Sequence, residues 1–283
     1  MARIGLLLSG GMAKGAYQIG ALKAIRERFA PSDIACVSAA SIGALNAYAY
    51  VHDFLPDAEQ MWLSVSEEMD YKWFAKAMKA SVIEKLTNHI VKDEPIANRF
   101  YVPLFDLSTH TLKYVDFSTI EADKSIDYLS ACVTMPVYCE GVKVDGANYF
   151  DGAMIDNIPV YPLVKEELDY VLCIYFDSSY YMFENEAFNR KIIRLTFPDN
   201  TIISNSIVLS QDRTQYMLKE GYEQTKAILD DVFANGSDDL SYIQDKIDER
   251  NGDSQNRKIR ITGDFIVSNI NRAAKHFVKV EKK

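Results

Sequence analysis

Three short segments of the sequence combine residue types that serve acyl-transfer chemistry. The first, Leu8–Gly15, follows an apolar run, contains Gly10 and Gly11, and opens a helical pattern. Glycines at such a turn let successive backbone N–H groups converge on one anion-sized position. The loop lacks the Gly-Lys-Ser/Thr ending of a nucleotide-binding P-loop, and Met12 interrupts the dinucleotide fingerprint. The segment therefore predicts an oxyanion or phosphate cradle, or an ordinary tight turn between a strand and a helix.

The second segment, Ala39-Ala40-Ser41-Ile42-Gly43, also lies between a predicted strand and a predicted helix. A serine on such a sharp turn is typical of a nucleophile elbow, in which a strained backbone exposes the hydroxyl. Small neighbours are needed because the strand and the helix pack closely around the turn. The alternative interpretation is a serine that only caps its helix.

In the third segment an aspartate ends an apolar run: Tyr149-Phe150-Asp151-Gly152-Ala153, followed by Asp156-Asn157-Ile158-Pro159. An acid in this position, followed by a small residue, fits a carboxylate delivered into a cleft. An Asp-Gly turn explains this segment alone more simply. Each segment by itself is better explained by its structural alternative, but the three together in this order are not.

With these segments the sequence resembles the patatin-like phospholipase family. That family combines a glycine-rich oxyanion loop, a G-x-S-x-G elbow about thirty residues later, and a distal D-G-[AG]. The resemblance extends to Gly15–Gly20 after the loop and Gly43–Ala47 after the serine, and covers roughly residues 3–230. It implies a Ser41–Asp151 dyad without histidine, with Ser41 as nucleophile and Asp151 as base. It also implies an oxyanion hole and supporting motif glycines, namely Gly10, Gly11 and Met12 for the hole, and Gly15, Gly43 and Gly152 for the motifs.

The implied function is hydrolysis of phospholipid, lysophospholipid or acylglycerol esters through an acyl-serine, with no metal and no organic cofactor. Met12 and Ala39 stand where the family has glycines, and the N–H of Met12 is retained only if the backbone there does not demand a positive φ. These two residues support the alternative of a lipid-binding pseudoenzyme. An acyltransferase would use the same nucleophile. A Ser–His hydrolase would use His276, the only histidine late enough in the chain for that order.

Composition excludes several other classes of protein. The chain has 283 residues, and its 31 Lys and Arg against 40 Asp and Glu give a formal charge of −9, which argues against a nucleic-acid partner. The four cysteines form no C-x-x-C pair and lie far from histidines, so neither a zinc site nor a disulfide framework is expected. We expect a cytoplasmic protein with buried thiols and no transmembrane helix. The oligomeric state stays open.

Apolar periodicity predicts an α/β fold with a mainly parallel sheet between two helical layers, the three-layer α/β/α patatin topology. Strands are expected at 3–8, 34–37 and 170–176, two more within 99–117, and a turn at Asp145-Gly146. Helices are expected at 15–29, 42–50, 56–95 and 211–233. Residues 1–233 would form the catalytic domain and 234–283 a C-terminal extension, with chain breakers at Gly236-Ser237 and Asn251-Gly252.

Three further features give weaker predictions. The Met- and Trp-rich stretch 61–78 could line an acyl pocket or form a lid, although core packing explains it more simply. Asp106 is expected to be structural. Residues 257–283 carry eight Lys and Arg against two acidic residues. Their apolar positions recur at helical spacing. They predict either a helix docked on the acidic body or peripheral contact with an anionic membrane.

Overall fold

The computed structural model describes residues 2–67, 96–136, 140–176, 186–197 and 210–255. Strands and helices alternate there largely as expected. The strands are β1 (Ile4–Leu8), β2 (Ile34–Ala39), β3 (Arg99–Asp106), β4 (Thr111–Asp116), β5 (Val142–Val144), β6 (Ala147–Asp151), β7 (Tyr170–Phe176) and β8 (Ile192–Phe197). The helices are α1 (Gly15–Arg26), α2 (Ile42–Val51), α3 (Leu55–Glu67), α4 (Ser125–Cys132), α5 (Tyr161–Val164), α6 (Glu186–Asn189), α7 (Gln211–Val232) and α8 (Leu240–Gln255).

The described strands form one mixed sheet with the order β5-β6-β3-β2-β1-β7-β8, in which β4 also pairs with β3. The β1–β2, β1–β7, β2–β3 and β7–β8 pairs are parallel, and the β3–β4, β3–β6 and β5–β6 pairs are antiparallel. Strand β3 pairs with β2 at Arg99–Tyr101 and with β6 at Leu104–Asp106. It thereby brings the end of β6, at Asp151, beside the end of β2.

Alternating side chains of the central strands enter two separate hydrophobic cores. Leu6, Leu8 and Leu172 face the larger core, which α1, α2, α3 and α7 cover. Leu7 and Cys173 face a smaller core that includes Leu163 of α5 and Phe188 of α6. Burial on both faces explains why these strands are continuously apolar, as expected for a parallel sheet covered by two layers.

Helices α1 and α7 pack at unusually close range. A Cβ added to Gly20 of α1 would overlap the carbonyl oxygen of Leu218, and one added to Gly221 of α7 would overlap that of Tyr17. The two glycines therefore let the backbones of these helices touch. The contact seats α1, which follows the glycine-rich loop, firmly on the larger core.

The start of the C-terminal extension continues as a helix at a position where the sequence predicts a chain break. The expected breaker at Asn251-Gly252 lies inside helix α8. Ile243 and Ile247, four residues apart on one face of α8, are buried in the larger core. Their burial outweighs the cost of about 1 kcal/mol for a glycine in the last turn.

Several expected features lie outside the described residues. These are residues 68–95 of the expected 56–95 helix, with most of the Met- and Trp-rich stretch 61–78, the histidines His89 and His276, Cys139, and the basic segment 257–283. Among the described residues, Cys36, Cys132 and Cys173 are buried free thiols. No helix in those ranges is both long enough and apolar enough to cross a bilayer.

Candidate active site

Ser41 lies on a strained turn between β2 and α2. Its φ of 54° and ψ of −133° place it in a region that non-glycine residues rarely adopt. Its side chain forms no hydrogen bond that caps α2, so the capping interpretation does not apply. Ser41 is half-buried and therefore reaches solvent. The turn thus presents an accessible hydroxyl, as expected of a nucleophile elbow.

Asp151, at the end of β6, lies beside Ser41. Asp151 is 3% exposed, and its carboxyl group is close enough to the Ser41 hydroxyl for that hydroxyl to lower the pKa of Asp151. The backbone N–H of Ala153 donates to Asp151 Oδ1 at 2.9 Å, which orients the carboxyl group. The turn expected from Asp-Gly is therefore present, and it aims the carboxyl group at the serine.

Burial sets the proton affinity of this carboxyl group. Removal from water raises the pKa of Asp151 to about 7, against the lowering effect of the Ser41 hydroxyl and the Ala153 N–H. A carboxyl group with this pKa exchanges its proton near neutral pH, which suits a general base. Neither of the two histidines in the described ranges, His52 and His110, contributes to the pKa shift of Asp151.

In the glycine-rich loop, two of the three N–H groups expected to bind an oxyanion are free of other hydrogen bonds in the described part of the chain. The N–H groups of Gly11 and Met12 have no acceptor among the described residues. Both residues are half-buried and reach solvent. The expected role of Gly10 as a donor is wrong, because its N–H already donates to the carbonyl oxygen of Asn157 at 3.2 Å. A Cβ on Gly10 would lie 3.0 Å from Ser41 Cβ, so the loop lies directly against the nucleophile.

Met12 keeps its N–H in a strained conformation. Its φ is 52°, so the backbone does demand the positive φ that was expected from the sequence to be incompatible with a retained donor. Met12 adopts this φ despite its side chain, and its N–H stays in place. A left-handed conformation costs an ordinary side chain roughly 1–2 kcal/mol relative to glycine.

Replacing Met12 by glycine is expected to raise the free energy of unfolding by about 1 kcal/mol, because glycine adopts positive φ without strain. The N–H remains in place, so activity should stay within a few-fold of wild type. Urea unfolding measures the gain in stability, and ester hydrolysis measures the retained activity. A Met12→Gly protein that is less stable would show that the methionine side chain contributes more than its backbone strain costs.

The motif glycines lie where side chains do not fit. A Cβ on Gly43 would lie 2.6 Å from the carbonyl oxygen of Ser9, and one on Gly15 would lie 2.6 Å from the Trp62 ring. A Cβ on Gly152 would overlap the carbonyl oxygen of Pro103 in β3. Close backbone approach at these points brings the loop, the elbow and the aspartate into one site. Ala39, in contrast, has its methyl group fully buried in the larger core.

Other titratable groups in the described residues do not complete a different site. Burial raises the pKa of Cys36 and Cys173 to about 12, so these thiols are unreactive near neutral pH. Asp106 binds Lys113 at 2.6 Å and accepts a hydrogen bond from the N–H of Ser108, in agreement with a structural role. No group of His, Cys, Asp and Glu residues in the described ranges has the arrangement of a metal site.

Two parts of the site are not among the residues that the sequence predicts for it. Asn157, recognised only as part of a motif, holds Gly10 through both its backbone and its side chain: Asn157 Nδ2 donates to the Gly10 carbonyl oxygen at 3.4 Å. A buried polar chain of Gln18, Asn46 and Trp62 lies under the loop. Gln18 falls four residues before Leu22 on the apolar stripe of α1, and a polar residue there was the available signal.

A family model described as patatin-like phospholipase matches residues 6–164, more than half of the chain. No curated protein is significantly similar in sequence. Among solved structures, VipD from Legionella pneumophila matches with 14% identity and a TM-score of 0.46, over 81% of this chain and 67% of VipD. The ExoU–SpcU complex of the Pseudomonas aeruginosa type III secretion system matches with 15% identity and a TM-score of 0.38. That match covers 90% of this chain but only 60% of the matched chain.

Proposed function

The chain belongs to the patatin-like phospholipase family, and we propose that it is a serine-dependent hydrolase of lipid acyl esters. One observation carries the proposal: a half-buried serine on a strained elbow lies beside a buried carboxyl group whose pKa it lowers, next to two backbone N–H groups that have no acceptor in the described part of the chain. Membership of the family supports lipid hydrolysis. The roles of Ser41 and Asp151 are our proposal.

In the proposed reaction, ionised Asp151 accepts the hydroxyl proton of Ser41 while Oγ attacks the carbonyl carbon of the ester. The N–H groups of Gly11 and Met12 bind the oxyanion of the tetrahedral intermediate, and each such donor contributes about 3 kcal/mol to the transition state. Collapse of the intermediate breaks the ester C–O bond, and Asp151 returns its proton to the departing alcohol. Water then attacks the acyl-serine carbonyl carbon and gives a proton to Asp151. The second tetrahedral intermediate breaks its C–Oγ bond, Asp151 returns that proton to Ser41 Oγ, and the carboxylic acid leaves.

The surface next to Asp151 supports a lipid substrate. Four exposed apolar side chains, Met154, Ile155, Tyr161 and Val164, follow Asp151 within thirteen residues. Lys165 Nζ lies 4.2 Å from the centre of the Tyr161 ring. Tyrosine and lysine beside apolar side chains suit the boundary between lipid headgroups and acyl chains. We propose a cytoplasmic enzyme that meets its substrate at a lipid surface.

The proposed function is tested with p-nitrophenyl esters of increasing chain length and with mixed phospholipid vesicles. Turnover that increases with chain length and generates free fatty acid supports a lipid acyl hydrolase. The same reactions are repeated with an added alcohol as acceptor. An ester formed between the acyl group and that alcohol would identify an acyltransferase. A folded protein that hydrolyses none of these esters but binds the vesicles would be the lipid-binding pseudoenzyme instead.

Removing the basic C-terminal segment is expected to weaken binding to anionic vesicles at least tenfold, because about six net positive charges are lost. A chain that ends at Gln255 is compared with the full chain by vesicle sedimentation. Hydrolysis of a short soluble ester serves as the control and should be unchanged. Equal sedimentation of the two chains would assign the segment to docking on the acidic body of the protein.

A further inference from the structure

Beneath the oxyanion loop, side chains from three helices form a buried chain of hydrogen bonds that ends on the carbonyl oxygen of Ser9. Trp62 Nε1 of α3 donates to Asn46 Oδ1 of α2 at 3.1 Å, and Asn46 Nδ2 donates to Gln18 Oε1 of α1 at 2.8 Å. Gln18 Nε2 then donates to the Ser9 oxygen at 2.7 Å. Gln18 and Asn46 are fully buried and Trp62 is 4% exposed. Water therefore does not compete for these bonds.

The direction of this chain is fixed at both ends. An indole N–H is only a donor, so the amide oxygen of Asn46 must face Trp62. Asn46 Nδ2 also donates to the Gly15 carbonyl oxygen at 2.9 Å, and a carbonyl is only an acceptor. The amide nitrogen of Gln18 must then face Ser9. Buried polar groups joined in this complete way hold one geometry, because any rotation leaves an unpaired group in the core.

The bond from Gln18 fixes one side of a peptide unit whose other side is also held. The Ser9–Gly10 peptide offers its oxygen to Gln18 Nε2 and its N–H to the carbonyl oxygen of Asn157. Turning this peptide would break both bonds. The next two N–H groups along the chain are those of Gly11 and Met12, the proposed oxyanion donors. Their direction therefore depends on the Ser9–Gly10 peptide.

We propose that Gln18, supported by Asn46 and Trp62, is a positioning residue that aims the N–H groups of Gly11 and Met12 at the oxyanion. The proposal rests on the proposed function for its effect on catalysis. A purely structural role would require only that the Ser9 carbonyl have a partner. The positioning role requires in addition that loss of this partner alter the loop where the oxyanion binds.

The kinetic test is Gln18→Met, which keeps the length of the side chain but removes the donor. Active sites are counted by titration with a fluorophosphonate, and we expect kcat per active site to fall about 10–100-fold. This is less than the loss seen when a whole oxyanion donor is removed, because the N–H groups remain but are misaligned. KM should stay within about twofold, because the ester-binding surface is unchanged. Trp62→Phe keeps a smaller aromatic ring at this position but leaves Asn46 Oδ1 without its donor, and should also lower kcat, by a smaller factor.

Leu229→Ala in α7 is the matched control for destabilisation. Leu229 is 2% exposed and lies in the larger core, so its truncation lowers stability without touching the amide chain. Its kcat per titrated site should equal that of wild type. If the wild type turns over and Gln18→Met has the same kcat per site, the positioning role is overturned while the proposed function stands.

A second readout needs no turnover. With ¹⁵N-labelled glycine and methionine, the amide signals of Gly11 and Met12 should shift in Gln18→Met and stay in place in Leu229→Ala. Unshifted signals in Gln18→Met would overturn the positioning role even for a protein that hydrolyses no ester. If the signals shift in Gln18→Met but the wild type hydrolyses no ester, positioning of the loop is supported and the proposed function is rejected.

Discussion

Ser41→Ala is expected to reduce ester hydrolysis to background, a loss of at least about 10⁴-fold in kcat, because it removes the atom that forms the acyl intermediate. The elbow should persist, since alanine meets the same strain at positive φ as serine. Hydrolysis of p-nitrophenyl esters measures the loss. Circular dichroism and thermal unfolding verify that the variant is folded.

Two control variants separate the nucleophile from general effects of substitution. Ser118→Ala removes a hydroxyl that donates to Asp116 Oδ1 in a turn, and should leave activity unchanged. His276→Ala tests the Ser–His alternative and should also have little effect, because Asp151 lies close enough to the Ser41 hydroxyl to act as its base in the proposed mechanism. Retention of more than a few per cent of activity in Ser41→Ala would reject Ser41 as the nucleophile.

Asp151→Asn is expected to lower kcat by about 10³–10⁴-fold, because an amide cannot accept the proton of Ser41. In the wild type, kcat/KM should fall tenfold for each pH unit below about 7, the pKa to which burial raises Asp151. The small remaining activity of Asp151→Asn should not show this decline. A wild-type profile that is flat between pH 5 and 8 would contradict the assignment of Asp151 as the base.

The same substitution should stabilise the protein above neutral pH. The carboxyl group binds its proton more tightly in the folded state, with a pKa of about 7, than at its ordinary value of 3.8. Folding is therefore favoured by protonation, and the free energy of unfolding falls by about 1.4 kcal/mol for each pH unit between these values. Relative to wild type, Asp151→Asn should gain stability from pH 4 to pH 7, by up to about 4 kcal/mol.

Urea unfolding at pH 4.5, 6 and 8 measures this difference. Asp145→Asn is the matched control, because its exposed carboxylate pairs with Lys124, which lowers the pKa of Asp145. Its stability relative to wild type should not rise with pH. A constant difference between Asp151→Asn and wild type across this range would show that Asp151 is not held protonated by the fold.

Much of the fold follows from sequence patterns because burial on both faces gives unmistakable apolar runs. Strand β7, Tyr170–Phe176, has the bounds that its apolar run predicts. The positive φ values at Asp145 and Gly146 agree with the predicted Asp-Gly turn. Helix α8 could not be anticipated in the same way, because its stability comes from Ile243 and Ile247 in the distant core.

The pairing of Ser41 with Asp151 was predictable only through the family resemblance. Spacing along the chain does not reveal that β3 pairs with both β2 and β6. The exclusion of Gly10 from the oxyanion donors depends on Asn157, 147 residues away. A sequence identifies the N–H groups of a loop but does not show which of them already have acceptors. Polar residues within buried helices, such as Gln18 and Asn46, mark where such contacts should be sought.

The central claim, that Ser41 and Asp151 act as a dyad, is tested most directly by the rate of fluorophosphonate labelling as a function of pH, followed by intact-mass spectrometry and peptide mapping. The proposed mechanism predicts a single adduct on Ser41 whose rate of formation rises with pH to a plateau, with a midpoint near 7, the pKa of Asp151. Asp151→Asn should label at least about 100-fold more slowly and without that midpoint. An adduct on another residue, or equal labelling of wild type and Asp151→Asn, would contradict the dyad.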